Sequence, residues 1–277
     1  MAARRAAFVK GDTPLFVTVN GLKTYYESLG AGEETILLLH GWGAPVGTYR
    51  AVLSHLAQRF RVVAFDMPGC GQTQEPPAPL TVDDYAAFAL AFCREIGLTR
   101  ATLLCHSHGG RVGVRLMSDV HSPLCVPRAV LFDAAGVPPH RTAKQKAAAR
   151  CYKALRVLGT ARLTAPLLRE TYEAVRDRRS SDDYRMASEV MRRTLSIVVN
   201  TDMTPLMPRV TVPVLLLWGE RDTATPLSDG QQMAHLMPNA ALVPVANAGH
   251  FPFLDAPQVF YPVLDAFLSD SSAESAR

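Results

Sequence analysis

Leu104-Cys105-His106-Ser107-His108-Gly109-Gly110 is the stretch whose reading decides the fold. It joins a short apolar run, Thr102 to Leu104, to a helical pattern over Gly109 to Met117. A serine at such a strand-to-helix junction sits on a sharp, strained turn that exposes its hydroxyl at the end of a sheet. Small residues two places before and two places after the serine let strand and helix pass closely. Gly109 meets that need, and Cys105 stands where the pattern has its first glycine, a modest departure because cysteine is small. Such a string alone is a common accident, so its meaning depends on what surrounds it.

Apolar runs without alternation recur at Ile36 to Leu39, Val62 to Phe65, Ala129 to Phe132, Val214 to Leu217 and Leu242 to Val245. Runs of this length and kind are those of fully buried parallel strands. Amphipathic stretches separate them. Thr81 to Ile96 is one, opened by Thr81 with Asp84 three residues on in the manner of a capping box. Strands alternating with helices predict a parallel sheet with right-handed crossovers. Ahead of them, Phe16 to Val19 and Leu22 to Tyr26 flank Asn20-Gly21, which supplies the positive φ angles of a type I′ hairpin turn. The alternation stops between Val137 and Pro205, where Ala, Arg and Lys dominate and Met186, Val190, Leu195 and Val198 recur at helical spacing. Residues 138–204 are therefore expected to form a helical cap inserted into a core made of 1–137 and 205–277. Pro138-Pro139 and Pro205 with Pro208 mark its borders.

The length of 277 residues suits one core with one insertion, and 48% hydrophobic with 19% charged residues is ordinary globular composition. A formal charge of +4 is too small to imply nucleic acid, but it is unevenly spread: residues 140–193 hold 14 Lys and Arg against 6 Asp and Glu. A basic stretch is usually a solvated face. The sharper reading is that Arg141, Lys144, Arg150, Arg176, Arg178, Arg179 or Arg192 attracts an acidic substrate, an acidic carrier protein or an anionic surface. Five cysteines, odd in number and scattered, suggest neither a disulfide framework nor a zinc site. The first twelve residues lack an apolar run of signal-peptide length and no segment reaches a membrane span, so a soluble, cytoplasmic protein is expected.

Four further segments fall in a telling order around the serine. His40-Gly41-Trp42-Gly43 follows the Ile36 strand, and Asp66-Met67-Pro68-Gly69-Cys70-Gly71-Gln72-Thr73 follows the Val62 strand. Trp218-Gly219-Glu220-Arg221-Asp222 ends a buried strand, and Asn247-Ala248-Gly249-His250-Phe251-Pro252-Phe253 follows the last one. With these segments the sequence resembles the α/β-hydrolase superfamily over nearly its whole length outside the insertion. The resemblance implies an α/β-hydrolase fold: a mostly parallel eight-stranded sheet flanked by helices, with an inserted helical cap. It implies that Ser107 is a nucleophile, His250 its base and Asp222 the acid behind the base. The backbone N–H groups of Trp42 and His108 would then bind the developing oxyanion.

That chemistry needs all three side chains. A serine hydroxyl is a poor nucleophile at neutral pH, so the histidine takes its proton during attack on a carbonyl. The aspartate fixes the imidazole tautomer and stays ionised, and the histidine returns the proton to the leaving alcohol. Cleavage of a small-molecule carboxylic ester is the expected reaction, with no cofactor and no metal. Asp133 is the rival acid, because it too ends a parallel strand; otherwise it is expected to cap the entrance to the insertion. The Asp66 to Thr73 turn reads as structural. His106 and His108 spell His-x-His, but no further ligand cluster lies nearby in sequence and the backbone turns both rings away from the serine hydroxyl. His106 is expected to pack beside the sheet and His108 to face the pocket, while Cys70 and Cys105 read as buried small hydrophobes. The same constellation serves carbon–carbon bond hydrolases, lactonases, proline-releasing aminopeptidases, haloperoxidases and esterases acting on pimeloyl-carrier-protein esters. From a different class comes a hydrolase-like small-ligand sensor. A serine at position 107 argues against dehalogenases and epoxide hydrolases, whose related turns carry aspartate.

Overall fold

Asn20 and Gly21 both take positive φ, 48° and 84°, and turn the chain between β1 (Leu15–Val19) and β2 (Leu22–Leu29). The twist of that turn matches the twist of paired strands, so Val19 falls opposite Leu22 and Leu15 opposite Tyr26. The computed structural model describes residues 15–138 and 187–269, with isolated positions between 150 and 170. Six more strands follow: β3 (Thr35–Leu39), β4 (Arg61–Phe65), β5 (Thr102–His106), β6 (Ala129–Phe132), β7 (Val214–Gly219) and β8 (Ala240–Val245). They form one eight-stranded sheet in the order β1-β2-β4-β3-β5-β6-β7-β8. The first two pairings, β1 with β2 and β2 with β4, are antiparallel and all the rest are parallel.

Alternate residues of each central strand feed opposite core layers, as the pleat requires. Leu37, Leu39, Leu103, Leu131, Leu216 and Trp218 join α2 (Val82–Glu95), α3 (His108–Met117) and α5 (Leu227–Leu236) on one face. Ile36, Leu38, Leu104, Val130, Phe132 and Leu217 pack with α1 (Arg50–Leu56), α6 (Pro252–Asp255) and α7 (Pro257–Ser269) on the other. The capping box of α2 is present: Thr81 Oγ1 accepts the Asp84 N–H at 3.2 Å, and Asp84 Oδ2 accepts the Thr81 N–H at 2.8 Å. β8 departs from the buried pattern that its sequence suggests. It is the edge strand, and only Val245 of its six residues is fully buried, because a strand with one neighbour cannot be covered on all sides.

Most of the expected cap, residues 138–204, lies outside the described residues, Met186, Arg141, Lys144, Arg176, Arg178 and Arg179 among them. Its last helix, α4 (Glu189–Val199), is described, capped by Ser188, which accepts the Met191 N–H. The apolar spacing of Val190, Leu195 and Val198 marks the correct face, but Met191, Thr194 and Val198 are its buried centre. Thr194 Oγ1 accepts the Leu80 N–H at 3.1 Å, and the Met191 side chain fills the space that a side chain on Gly69 would need. No helix among the described residues is long and apolar enough to cross a membrane.

Parallel strands place all their C-terminal ends along one edge, and loops there are where α/β sheets carry function. That edge collects His40 after β3, Asp66 after β4, Ser107 after β5, Asp133 after β6, Asp222 after β7 and His250 after β8.

Candidate active site

Ser107 is the single residue between β5 and α3, held at φ 48° and ψ −116°. A non-glycine residue with such a backbone costs about 1–3 kcal/mol, and it persists only where its surroundings fix it. Here they do. The Ser107 carbonyl accepts the N–H groups of Gly110 at 2.9 Å and Ala135 at 2.8 Å, which ties the turn to the segment leaving β6. Gly109 lies against the Leu39 carbonyl with no room for a side chain, and a Cβ on Gly110 would fall 2.5 Å from that of Ala134. The cysteine standing in the first-glycine position is accommodated from the helix side. Its sulfur points over Gly113, where a Cβ would come within 2.6 Å of it. Cys105 is fully buried, which pushes its thiol pKa far up and leaves it inert. Burial also raises the Cys70 thiol to about 12.

The histidine and aspartate that the motifs single out meet across two loops. His250 Nδ1 lies 2.7 Å from Asp222 Oδ2. Asp222 is fully satisfied: Oδ2 also accepts the Thr225 hydroxyl at 2.6 Å, and Oδ1 accepts the N–H groups of Ala224 at 2.7 Å and Thr225 at 3.1 Å. Burial alone would raise its pKa, but the hydrogen bonds from His250 and Thr225 and the charge of His250 outweigh it and bring the carboxyl down to about 2. An ionised acceptor requires Nδ1 to carry a proton, so Nε2 is the nitrogen left with a lone pair. The loops are stitched together by the Arg221 N–H on the Ala248 carbonyl at 2.8 Å. Among the described residues Ser107 Oγ makes no hydrogen bond, to His250 or to any other group. The acid and the histidine are thus joined, and the serine stands at its turn with its hydroxyl free to rotate.

Asp133, the rival acid, has a different environment. It does not cap the entrance to the insertion, because it is fully buried and points at β7: Oδ1 accepts the Gly219 N–H at 2.9 Å. Burial, followed by the close approach and charge of Asp222 and by the charge of Asp255, raises its pKa to about 9 against the lowering effect of Gly219. Asp133 is therefore a protonated acid at neutral pH, whereas Asp222 is a carboxylate.

A second chain of hydrogen bonds was not legible in the motifs. The Gly41 N–H donates to Tyr49 Oη at 3.0 Å, and Tyr49 Oη lies 2.7 Å from His106 Nδ1. On the other side of that ring, His106 Nε2 donates to the His250 carbonyl at 2.8 Å. A carbonyl only accepts, which fixes Nε2 as the protonated nitrogen and makes the Tyr49 hydroxyl donate to Nδ1. The ring links the Gly41 loop to the His250 loop, and it packs 4.7 Å from the His250 ring, centroid to centroid. Burial and the neighbouring His250 lower its pKa to about 3, so it stays neutral. The loop is pinned a second time by His40, which donates from Nδ1 to the Gly41 carbonyl and accepts the Met67 N–H at Nε2, at 2.7 and 2.8 Å. Asp66 accepts from Val46 and Gln72, each at 2.8 Å, so its turn is structural, as expected.

The backbone N–H groups of Trp42 and His108 donate to no group among the described hydrogen bonds. His108 opens α3, where first-turn N–H groups have no helical partner. Its ring is buried between Trp42 and Tyr85, at 5.9 and 4.9 Å between centroids, with neither nitrogen hydrogen-bonded. Burial and Arg111 lower its pKa to about 3. The two histidines of His-x-His thus point to separate surroundings. Asp133, Asp222 and His250 each bring one ligand-type atom within 4.8 Å of the others, but His250 donates to Asp222, which occupies the lone pairs that a cation needs.

The comparisons with known proteins agree with this architecture. An uncharacterized protein of Mycobacterium tuberculosis is 30% identical over 286 residues, covering 94% of this chain and 82% of that protein. A pimeloyl-[acyl-carrier protein] methyl ester esterase of Chromobacterium violaceum is 28% identical over 254 residues, covering 88% and 97%. The crystal structure of a hydrolase from Pseudomonas aeruginosa superposes with a TM-score of 0.72 at 24% identity, covering 94% of this chain and all of that one. A family model described as "Alpha/beta hydrolase family" matches residues 36–263, and the chain belongs to that family.

Proposed function

We propose that the protein is a serine hydrolase that cleaves a carboxylic ester through an acyl-enzyme on Ser107. The observation that carries this reading is the fully satisfied Asp222 carboxylate holding His250 Nδ1 at 2.7 Å, which leaves Nε2 as a base on the same sheet edge as the strained Ser107 turn. In this reading the Ser107 hydroxyl rotates toward Nε2 when an ester carbonyl binds, and His250 takes its proton as Oγ attacks. The N–H groups of Trp42 and His108, which have no partner among the described hydrogen bonds, receive the oxyanion; one such donor is worth about 3 kcal/mol. His250 then protonates the leaving alcohol, and water repeats the sequence to release the acid. A small-molecule ester is the substrate class of this reading; an acyl group on an acidic carrier protein is the alternative, supported by the likeness to the carrier-protein esterase and the basic excess of residues 140–193. The test is steady-state hydrolysis of p-nitrophenyl esters from acetate to octanoate. Wild type should turn over, Ser107→Ala should be inactive and Asp222→Asn severely impaired. Inertness on every ester, or an unchanged rate in Ser107→Ala, would sink the proposal.

A further inference from the structure

Asp133 stands outside the hydrogen-bonded pair of Asp222 and His250, yet it lies against both. Its Oδ1 accepts the Gly219 N–H, while Oδ2 is buried without a hydrogen-bond partner. Ligand-type atoms of Asp133, Asp222 and His250 all fall within 4.8 Å of one another. Thr225 sits between the two segments: its hydroxyl donates to Asp222 Oδ2 at 2.6 Å and lies 3.0 Å from the main-chain carbonyl oxygen of Asp133. Two carboxyl groups this close in a buried site do not both ionise, because the second charge meets the first at low dielectric. Asp222, with four accepted hydrogen bonds, is the one built to hold the charge.

We propose that Asp133 is a neutral positioning acid behind Asp222, and that it becomes the carboxylate facing His250 when the charge at position 222 is removed. The catalytic consequence rests on the serine-hydrolase reading; the state of Asp133 does not. The groups whose charge bears on Asp133 are Asp222, from the loop after β7, and Asp255, on α6, with His250 alongside. Both acids favour keeping its proton. In Asp222→Asn the nearer of those charges is gone, so Asp133 releases its proton to solvent at lower pH. Its Oδ2, which has no other partner, is then the nearby acceptor for His250 Nδ1–H.

The first arm of the test needs no substrate. Infrared difference spectra between wild type and Asp133→Asn at neutral pH report the C=O stretch of a buried, protonated carboxylic acid. That band is expected in wild type, and in Asp222→Asn it should vanish at least about one pH unit lower than in wild type. The second arm is hydrolysis of p-nitrophenyl butyrate across neutral to alkaline pH. Asp222→Asn should keep an activity that climbs with pH and exceeds that of the Asp133→Asn/Asp222→Asn double variant by about tenfold or more, carried by kcat rather than KM. Lack of the band in wild type, a band indifferent to the charge at 222, or equal activity of single and double variants would each overturn the proposal. Inactive wild type would instead count against the serine-hydrolase reading, and the infrared arm would still decide the state of Asp133.

Discussion

Replacing Asp133 by Asn probes the electrostatics of this edge through stability alone. The Asp133 carboxyl is fully buried, and its pKa rises from 3.8 to about 9, through burial first and the neighbouring acids after it. In the unfolded chain the group ionises near its ordinary value, whereas the folded protein keeps the proton until about pH 9. Between those limits the folded state binds the extra proton, so this group makes wild-type stability fall as pH rises, by about 1.4 kcal/mol per pH unit. From about pH 4 to about pH 7 the loss is on the order of 4 kcal/mol. Asn keeps an oxygen for the Gly219 N–H and cannot ionise, so the variant escapes the penalty. Urea unfolding of both proteins at closely spaced pH values should show the stability difference widening in favour of Asn up to about pH 9 and then levelling. A difference that stays constant with pH would refute the assignment of a buried, protonated acid.

Tyr49→Phe should lower kcat about tenfold with little change in KM, because the Gly41 N–H and His106 Nδ1 both lose their partner and the loop they tie loosens; ester kinetics and a thermal melt check this. Acid should unfold the protein partly through its neutral histidines. His106 and His108 have pKa values lowered by burial to about 3, so the stability they contribute is complete above about pH 6.5 and drains away as pH falls toward about 3. His108→Leu should therefore lose stability less steeply on acidification, as read from unfolding midpoints, and an unchanged slope would count against it. Gly109→Ala should cost more than about 3 kcal/mol, since its Cβ would enter the Leu39 carbonyl, whereas Gly47→Ala, with open space around it, should stay within about 0.5 kcal/mol; denaturant unfolding separates the two.

The parts of this protein that sequence made legible are those where local chemistry and long-range placement ask for the same residue. Asn20-Gly21, the Thr81–Asp84 box and the buried runs of β3 to β7 each satisfy a local rule that the sheet then uses. Asp222 and His250 were legible because the segments that carry them, Trp218–Asp222 and Asn247–Phe253, resemble the family's loops in the right order, and the structure brings the two side chains to 2.7 Å. Tyr49 and Thr225 were not. The Tyr49 hydroxyl reaches His106, 57 residues away, and the Thr225 hydroxyl, which donates to Asp222 three residues before it, also lies against the Asp133 carbonyl 92 residues away; no pattern within either segment encodes those long-range pairings. Asp133 was legible as an acid at a strand end, but its protonation follows from burial beside Asp222, which no spacing reveals. The apolar spacing marks the inward face of α4 but not its centre, because Thr194, a polar residue, takes a buried place where it accepts the Leu80 N–H.

Cys105 and Gly113 also constrain the order in which this turn can change over time. The cysteine sulfur occupies the volume that a side chain on Gly113 would claim, so alanine there forces the sulfur to shift while the cysteine remains, although alanine would suit the helix better by about 1 kcal/mol. A lineage that first replaced Cys105 with glycine would open that volume and remove the need for that shift. The reverse order passes through a strained intermediate, so the route that changes Cys105 first is the easier way to combine Cys105→Gly with Gly113→Ala.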